Sequence, residues 1–323
     1  MKKKLGFMIA SVLTAVPAAN ITAGLCLFNN TIVRSNISLE QTQSMSGVDW
    51  DKYNELIDEM TIALSETRTD EFYIRSYDGL KLYGQYFRHY GEDKNDVKKI
   101  VICFHGYTSY GGGNNSAAAV YFLNNGFDVL LPDARSHGNS EGEYIGFGCL
   151  DRYDGLEWIK FLQNKYRSEE RRGKLEIYLY GVSMGGATVC MMSGLDLPEC
   201  VKGIISDCAF TAPNEIFEKV LKAKYHLPSS PIMMIANLVS QKYAGYTFNS
   251  CSSAREVKKT KLPMLFIHGS GDKFIPEAMC HRIYENCGSE KKDILIIDGA
   301  AHAESYYKDR KAYEKKLSEF LGV

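Results

Sequence analysis

The feature that most constrains this chain is a series of short apolar runs that recur between stretches of helical character. Ile100–Phe104 (IVICF), Val129–Pro132 (VLLP), Ile177–Tyr180 (IYLY), Val201–Ser206 (VKGIIS), Met264–Ile267 (MLFI) and Ile294–Ile297 (ILII) have the length and branched content of strands covered on both faces. Between them, 116–125, 151–166, 185–194, 278–287 and 309–321 are helical candidates. Such alternation predicts an α/β architecture. Parallel neighbours need crossover connections, and the crossover helices cover the two faces of a mostly parallel central sheet. Ahead of this core, Glu71–Tyr77 and Leu80–His89 flank an Asp78-Gly79 turn and read as an antiparallel hairpin. Ile57, Met60, Ile62 and Leu64 mark a lead-in helix before it.

One insertion breaks the alternation, from Ala209 to about Lys261. It carries helical stretches around 214–225 and 231–243, with Pro213, Pro228 and Pro231 as breakers. An insertion at that point predicts a small helical cap over a site at the carboxyl ends of the strands. The expected division is a leading segment over 1–34, a linker and lead-in helix over 35–69, and a catalytic domain over 70–323 with its cap at about 209–261.

The chemistry follows from position as much as from residue type. Gly181-Val182-Ser183-Met184-Gly185-Gly186 stands directly after the Ile177–Tyr180 strand and opens a helix. A nucleophile on a sharp strand-to-helix turn needs small neighbours, and the helix start supplies N–H groups for a developing oxyanion. Ser183 is therefore the candidate nucleophile. His302, in Gly299-Ala300-Ala301-His302-Ala303-Glu304-Ser305 after the last strand, is the candidate base, since an imidazole takes and returns a proton near neutrality. Asp272, in Gly269-Ser270-Gly271-Asp272-Lys273, is the expected orienting acid, with Asp207 as its rival and Asp298 as a turn residue. The oxyanion donors are expected to be the N–H groups of Met184 and of Tyr107, in the loop Phe104-His105-Gly106-Tyr107-Thr108. His105 is expected to fix that loop by hydrogen bonds rather than to react.

Taken together, HGYTS, the run Asp133-Ala134-Arg135-Ser136-His137-Gly138-Asn139-Ser140, GVSMGG, GSGDKFIP and AAHAES resemble the serial signatures of the α/β-hydrolase superfamily. The resemblance covers about residues 70–321. It is closest to the bacterial branch that groups with serine aminopeptidases, monoacylglycerol-lipase-like enzymes and prolyl-oligopeptidase-like hydrolases. It implies the α/β-hydrolase fold, a Ser-Asp-His order, no metal and no organic cofactor, and Arg135 and His137 as braces of the loops around the site. Ala303 departs from the pattern, because many relatives carry Gly after the histidine.

A chain of 323 residues with a formal charge of -1 has no field that would gather nucleic acid. Its cysteines number nine, an odd count with no CxxC pair, which leads us to expect buried free thiols, no disulfide framework and no metal. Lys2, Lys3 and Lys4 precede a largely apolar stretch from Leu5 to about Phe28. The first expectation is an uncleaved membrane anchor with the domain outside the cytoplasm; the alternative is a leader removed near Ala18 or Ala19, giving a secreted protein. Leu25 before Cys26 argues against lipid attachment.

The expected activity is acyl transfer to water through an acyl-serine, on a small-molecule acyl substrate and most simply a carboxyl ester. A serine peptidase is the alternative enzyme, and a non-catalytic binding module on the same fold the alternative class. Phe217, Leu221, Leu227, Ile232, Met233, Met234 and Ile235 of the insertion either line an acyl pocket or cover the core. Oligomeric state is not legible.

Overall fold

The computed structural model describes residues 18–34, 46–67, 69–89, 91, 97–113, 115–168 and 175–323. An eight-stranded sheet in the order β1-β2-β4-β3-β5-β6-β7-β8 organises the molecule. Its strands are β1 (Thr69–Arg75), β2 (Lys81–Phe87), β3 (Lys98–Phe104), β4 (Asp128–Pro132), β5 (Leu175–Val182), β6 (Val201–Asp207), β7 (Met264–Gly269) and β8 (Lys292–Ile297). The β1–β2 hairpin is antiparallel and β2 meets β4 antiparallel; every other pairing is parallel. This is the α/β architecture expected from the apolar runs.

The helices are α1 (18–31), α2 (Asn54–Ser65), α3 (Ser116–Asn124), α4 (Asp151–Ser168), α5 (Met184–Met192), α6 (Pro213–Tyr225), α7 (Ile232–Tyr243), α8 (Ser253–Glu256), α9 (Glu277–Asn286), α10 (Ser305–Lys308) and α11 (Arg310–Leu321). They divide between the faces, and β3 shows why its sequence is apolar without alternation. Ile100, Ile102 and Phe104 belong to a core with Trp158, Leu162 and Met184. Val101 and Cys103 belong to the opposite core with Phe122, Tyr180 and Leu317. Both faces are dry, so successive side chains are all apolar.

The insertion between β6 and β7, the expected cap, folds as helices α6 to α8. One expectation is corrected here: Cys149, just before α4, and Cys251, near the end of the insertion, form a disulfide with 5.5 Å between their Cα atoms and 102 residues between them in sequence. Odd cysteine number and wide spacing conceal such a bridge, because only the fold brings the two thiols together. Cys103 and Cys190 are buried free thiols as expected.

The leading segment enters the structure at residue 18, and Lys2–Lys4 with the apolar run up to residue 17 lie outside the described residues. From there α1 packs on the domain, with Leu27, Phe28 and Ile32 in the same core as Trp158. Among the described residues no helix is long and apolar enough to cross a membrane.

Candidate active site

The sheet reverses direction of growth between β3 and β5. The chain leaves β3 to build β4 on one side and leaves β5 to build β6 on the other. The carboxyl ends of β3 and β5 therefore open a crevice that their own connections do not fill. Ser183 sits at its centre, immediately after β5, with φ 57 and ψ -113. A non-glycine residue in that region is strained and persists only where its surroundings enforce it. The enforcement is visible: the Ser183 N–H donates to the Asp207 carbonyl at 2.9 Å, and its own carbonyl accepts from Ala187 N–H at 2.9 Å. Gly185 permits the turn, because a Cβ there would collide with the Phe104 carbonyl of the neighbouring strand.

The structure brings Ser183, His302 and Asp272 together from separate loops. Ser183 Oγ lies 2.8 Å from His302 Nε2, and His302 Nδ1 lies 2.7 Å from Asp272 Oδ2. The other carboxylate oxygen, Oδ1, accepts the backbone N–H groups of Phe274 at 2.9 Å and Ile275 at 2.7 Å. Burial alone would push the Asp272 carboxyl up. The charges and hydrogen bonds of His302 and His268 overcome it and hold the group well below the usual carboxylate range. An ionised Asp272 fixes the tautomer in which His302 Nε2 is free to accept the serine proton. Phe274 packs edge-on to the imidazole at 5.1 Å between ring centres.

Asp207 does not reach His302. Its Oδ2 accepts from Tyr313 Oη at 2.9 Å, its Oδ1 is buried without a partner among the described residues, and burial pushes its carboxyl up to about 6. Asp298 is an exposed turn residue that accepts from Ser270 Oγ.

The backbone N–H groups of Tyr107 and Met184 donate to no backbone carbonyl among the described residues. The loop that carries Tyr107 is held by neutral imidazoles. His105 Nδ1 bonds the Gly106 carbonyl at 2.7 Å, and its Nε2 accepts the Ala134 N–H at 2.9 Å. His137 Nδ1 bonds the Arg135 carbonyl, and its Nε2 accepts the Thr108 N–H at 3.2 Å. Burial holds both rings down to about 4, so near neutral pH each keeps one accepting nitrogen for these bonds. Arg135 completes the brace, meeting Asp154 through Nε and Nη2 at 2.7 Å each and Asp78 of the hairpin turn at 2.9 Å.

Some supports were not read from the sequence. His268, fully buried at the end of β7, bonds the Ile275 carbonyl through Nε2 at 2.8 Å and lies 3.4 Å from Asp272 Oδ2. An ionisable residue closing an otherwise apolar strand was the available signal. Lys219 of the cap donates to the Phe274 carbonyl at 2.8 Å and so ties α6 to the acid loop; nothing in the sequence pairs those positions.

The insertion's apolar residues divide. Phe217, Leu221, Ile232 and Met233 are buried in the core, whereas Leu227 and Met234 are exposed. Phe217 also belongs to an aromatic row that leads from Tyr107 through Phe147, at 5.1 Å, to Phe217 at 4.8 Å and Phe248 at 4.7 Å. The Tyr107 ring thus packs against an apolar core. Among the described residues no cluster of His, Cys, Asp and Glu is arranged to hold a metal ion.

Comparison with known proteins bears on the family and the class of activity. Residues 95–244 match the model of the serine aminopeptidase family, S33. The chain is 32% identical over 240 residues to the uncharacterized protein YqkD of Bacillus subtilis, covering 74% of this chain and 76% of that one. It is 28% identical over 208 residues to the putative esterase YitV of the same organism, covering 61% and 78% respectively. Among solved structures, the Pyrococcus furiosus esterase Pf2001 superposes with a TM-score of 0.62 at 22% identity, over 81% of this chain and 94% of the other.

Proposed function

This chain belongs to the α/β-hydrolase superfamily and is a hydrolase, and from that premise we propose that it is a serine carboxylesterase. Ser183 Oγ attacks the acyl carbonyl as His302 Nε2 takes its proton. Asp272 stabilises the imidazolium. The N–H groups of Tyr107 and Met184 receive the oxyanion. The imidazolium then protonates the leaving alkoxide, and His302 activates water to release the acid and regenerate Ser183. The carrying observation is the unbroken hydrogen-bond chain Ser183–His302–Asp272 on a strained turn. It also weighs against a non-catalytic module. Labelling by a fluorophosphonate probe that disappears in Ser183→Ala is the direct test; an unlabelled wild type overturns the reading.

Ester preference rests on the apolar wall beside Tyr107 and on the esterase relatives. The family match over 95–244 favours a second reading, an aminopeptidase-like enzyme. Parallel assays of p-nitrophenyl acyl esters and aminoacyl anilides decide between them by the ratio of kcat/KM.

For the leading segment we propose export. Lys2–Lys4 before an apolar run support it, as an uncleaved anchor or, alternatively, a leader removed near Ala18 or Ala19, and a disulfide suits an oxidising compartment. Mass spectrometry of the mature N-terminus, with carbonate extraction of membranes, distinguishes the two.

A further inference from the structure

The last turns of the leading segment lie against the oxyanion loop. Helix α1 buries Gly24, Leu27, Phe28 and Ile32 and leaves Ile21 and Leu25 exposed, the spacing of one helical face. Gly24 lets it cross α7 closely: a Cβ there would come within 2.6 Å of Ile235 Cγ2 and 3.1 Å of the Ile232 carbonyl. Beyond the helix the chain joins the domain by backbone pairing, with Ile145 N–H donating to the Ile32 carbonyl at 2.7 Å and Arg34 N–H to the Glu143 carbonyl at 2.6 Å. The Arg34 guanidinium reaches the carbonyls of Gly138 at 2.7 Å and Ser140 at 2.8 Å, in the loop that His137 braces.

At the end of α1 the carbonyls of Asn30 and Thr31 belong to the last turn, where no intrahelical donor exists. The Tyr107 hydroxyl supplies one, at 3.4 Å and 3.2 Å. Tyr107 is also the residue whose backbone N–H is read as an oxyanion donor. Of the paired donors, Met184 is fixed by its own helix, whereas Tyr107 stands in a loop held on one side by His105 and His137. We propose that the Tyr107 side chain is a positioning group that anchors the oxyanion loop to the leading helix, so that residues 18–34 are part of the catalytic apparatus and not only an address or a tether. The inference rests on the reading of the Tyr107 N–H as an oxyanion donor.

The reason is geometric. An oxyanion donor is effective only when held within about 0.5 Å of its productive position. Loss of a whole donor costs about 10²–10³ in kcat, and a loosened one a fraction of that. A hydroxyl that caps α1 converts docking of the helix into placement of the N–H.

The test uses the full-length chain. Tyr107→Phe keeps the backbone N–H and the ring against Phe147 but removes the hydroxyl. With active sites counted by fluorophosphonate titration, kcat per site on a soluble p-nitrophenyl ester is expected to fall about tenfold, part of the donor's full worth, with KM within about twofold. A purely structural role would reduce the number of titratable sites and leave kcat per site unchanged. Gly24→Leu, which pushes α1 off Ile235 far from the serine, is expected to give the same signature. The double variant is then no slower than the worse single one, because both act through one contact. Wild-type kcat per site in Tyr107→Phe, or multiplied losses in the double variant, would overturn the inference while normal labelling leaves the esterase reading standing. A wild type that is never labelled overturns both.

Discussion

Tyr53 donates a 2.7 Å hydrogen bond to Glu304, so the turn that leads into α2 is clasped to the loop that carries His302. The second oxygen of Glu304 accepts the Ala301 N–H at 2.7 Å, one residue before the imidazole. One nearly buried carboxylate thus holds both ends of the contact. Glu304→Ala should lower stability by about 1–3 kcal/mol, since it removes a carboxylate acceptor from two half-buried donors, and should reduce kcat more than it raises KM. Denaturant melts and ester kinetics on the same preparation check both. Tyr53→Phe, which leaves the Ala301 bond in place, should cost less in each.

The separation of Asp272 from Asp207 gives a sharp kinetic contrast. Ser183→Ala and His302→Ala should each lower ester kcat by about three orders of magnitude or more. Asp272→Asn should fall by about two orders or more, because the imidazole loses the partner that sets its tautomer. Asp207→Asn should keep activity within about threefold, since its hydrogen bond runs to Tyr313 and away from the histidine. An inactive Asp207→Asn beside a normal Asp272→Asn would reverse the assignment.

Asp207 has a separate consequence for stability. Its carboxyl holds a proton more tightly in the fold, at about 6, than in the unfolded chain, at about 4. Its contribution is therefore most favourable below about pH 4 and is lost as pH rises through 6. The wild type should show a decline in Tm across that window which Asp207→Asn lacks, so that the variant gains on the wild type as pH rises from about 4.5 to 7.5. Parallel Tm curves would show that Asp207 carries no such penalty.

The strands were legible because β3 and its parallel neighbours are dry on both faces, and a candidate site could be read because Ser183, Asp272 and His302 each follow a strand end. Two features escaped for physical reasons. Pairing of Cys149 with Cys251 depends on the cap returning to the start of α4, which no local pattern encodes. The packing of 18–34 was hidden because an apolar stretch after lysines carries the same signal whether its last turns face lipid or a protein core; only Gly24, set to admit Ile235, hints at close packing. His268 was visible but unassigned, since burial beside Asp272 is a property of the fold.

The Cys149–Cys251 bridge closes a loop of about 100 residues, and cross-links of that span stabilise by up to roughly 4–5 kcal/mol in the chain-entropy picture. Cys149→Ser, or reduction of the wild type, should lower Tm by several degrees. The effect of reductant should vanish in the variant. Because the bridge holds the cap rather than the triad, kcat at low temperature should stay within about threefold of wild type.

Ala303 offers a test at the serine site's own edge. It follows His302 directly and adopts φ 62, where a Cβ meets the backbone carbonyl and costs roughly 1–2 kcal/mol relative to glycine. Glycine returns that strain but adds about 0.4–1 kcal/mol of freedom to the unfolded chain. Ala303→Gly should therefore raise stability by about 0.5–1 kcal/mol, the balance of the two, and leave kcat near wild type, since the imidazole's partners are untouched. Ala303→Val asks a β-branched residue to take the same backbone conformation and should destabilise strongly and displace His302, with kcat falling together with Tm. A glycine variant less stable than wild type would mean that the Ala303 methyl, packed against the core that includes Tyr306, outweighs the strain.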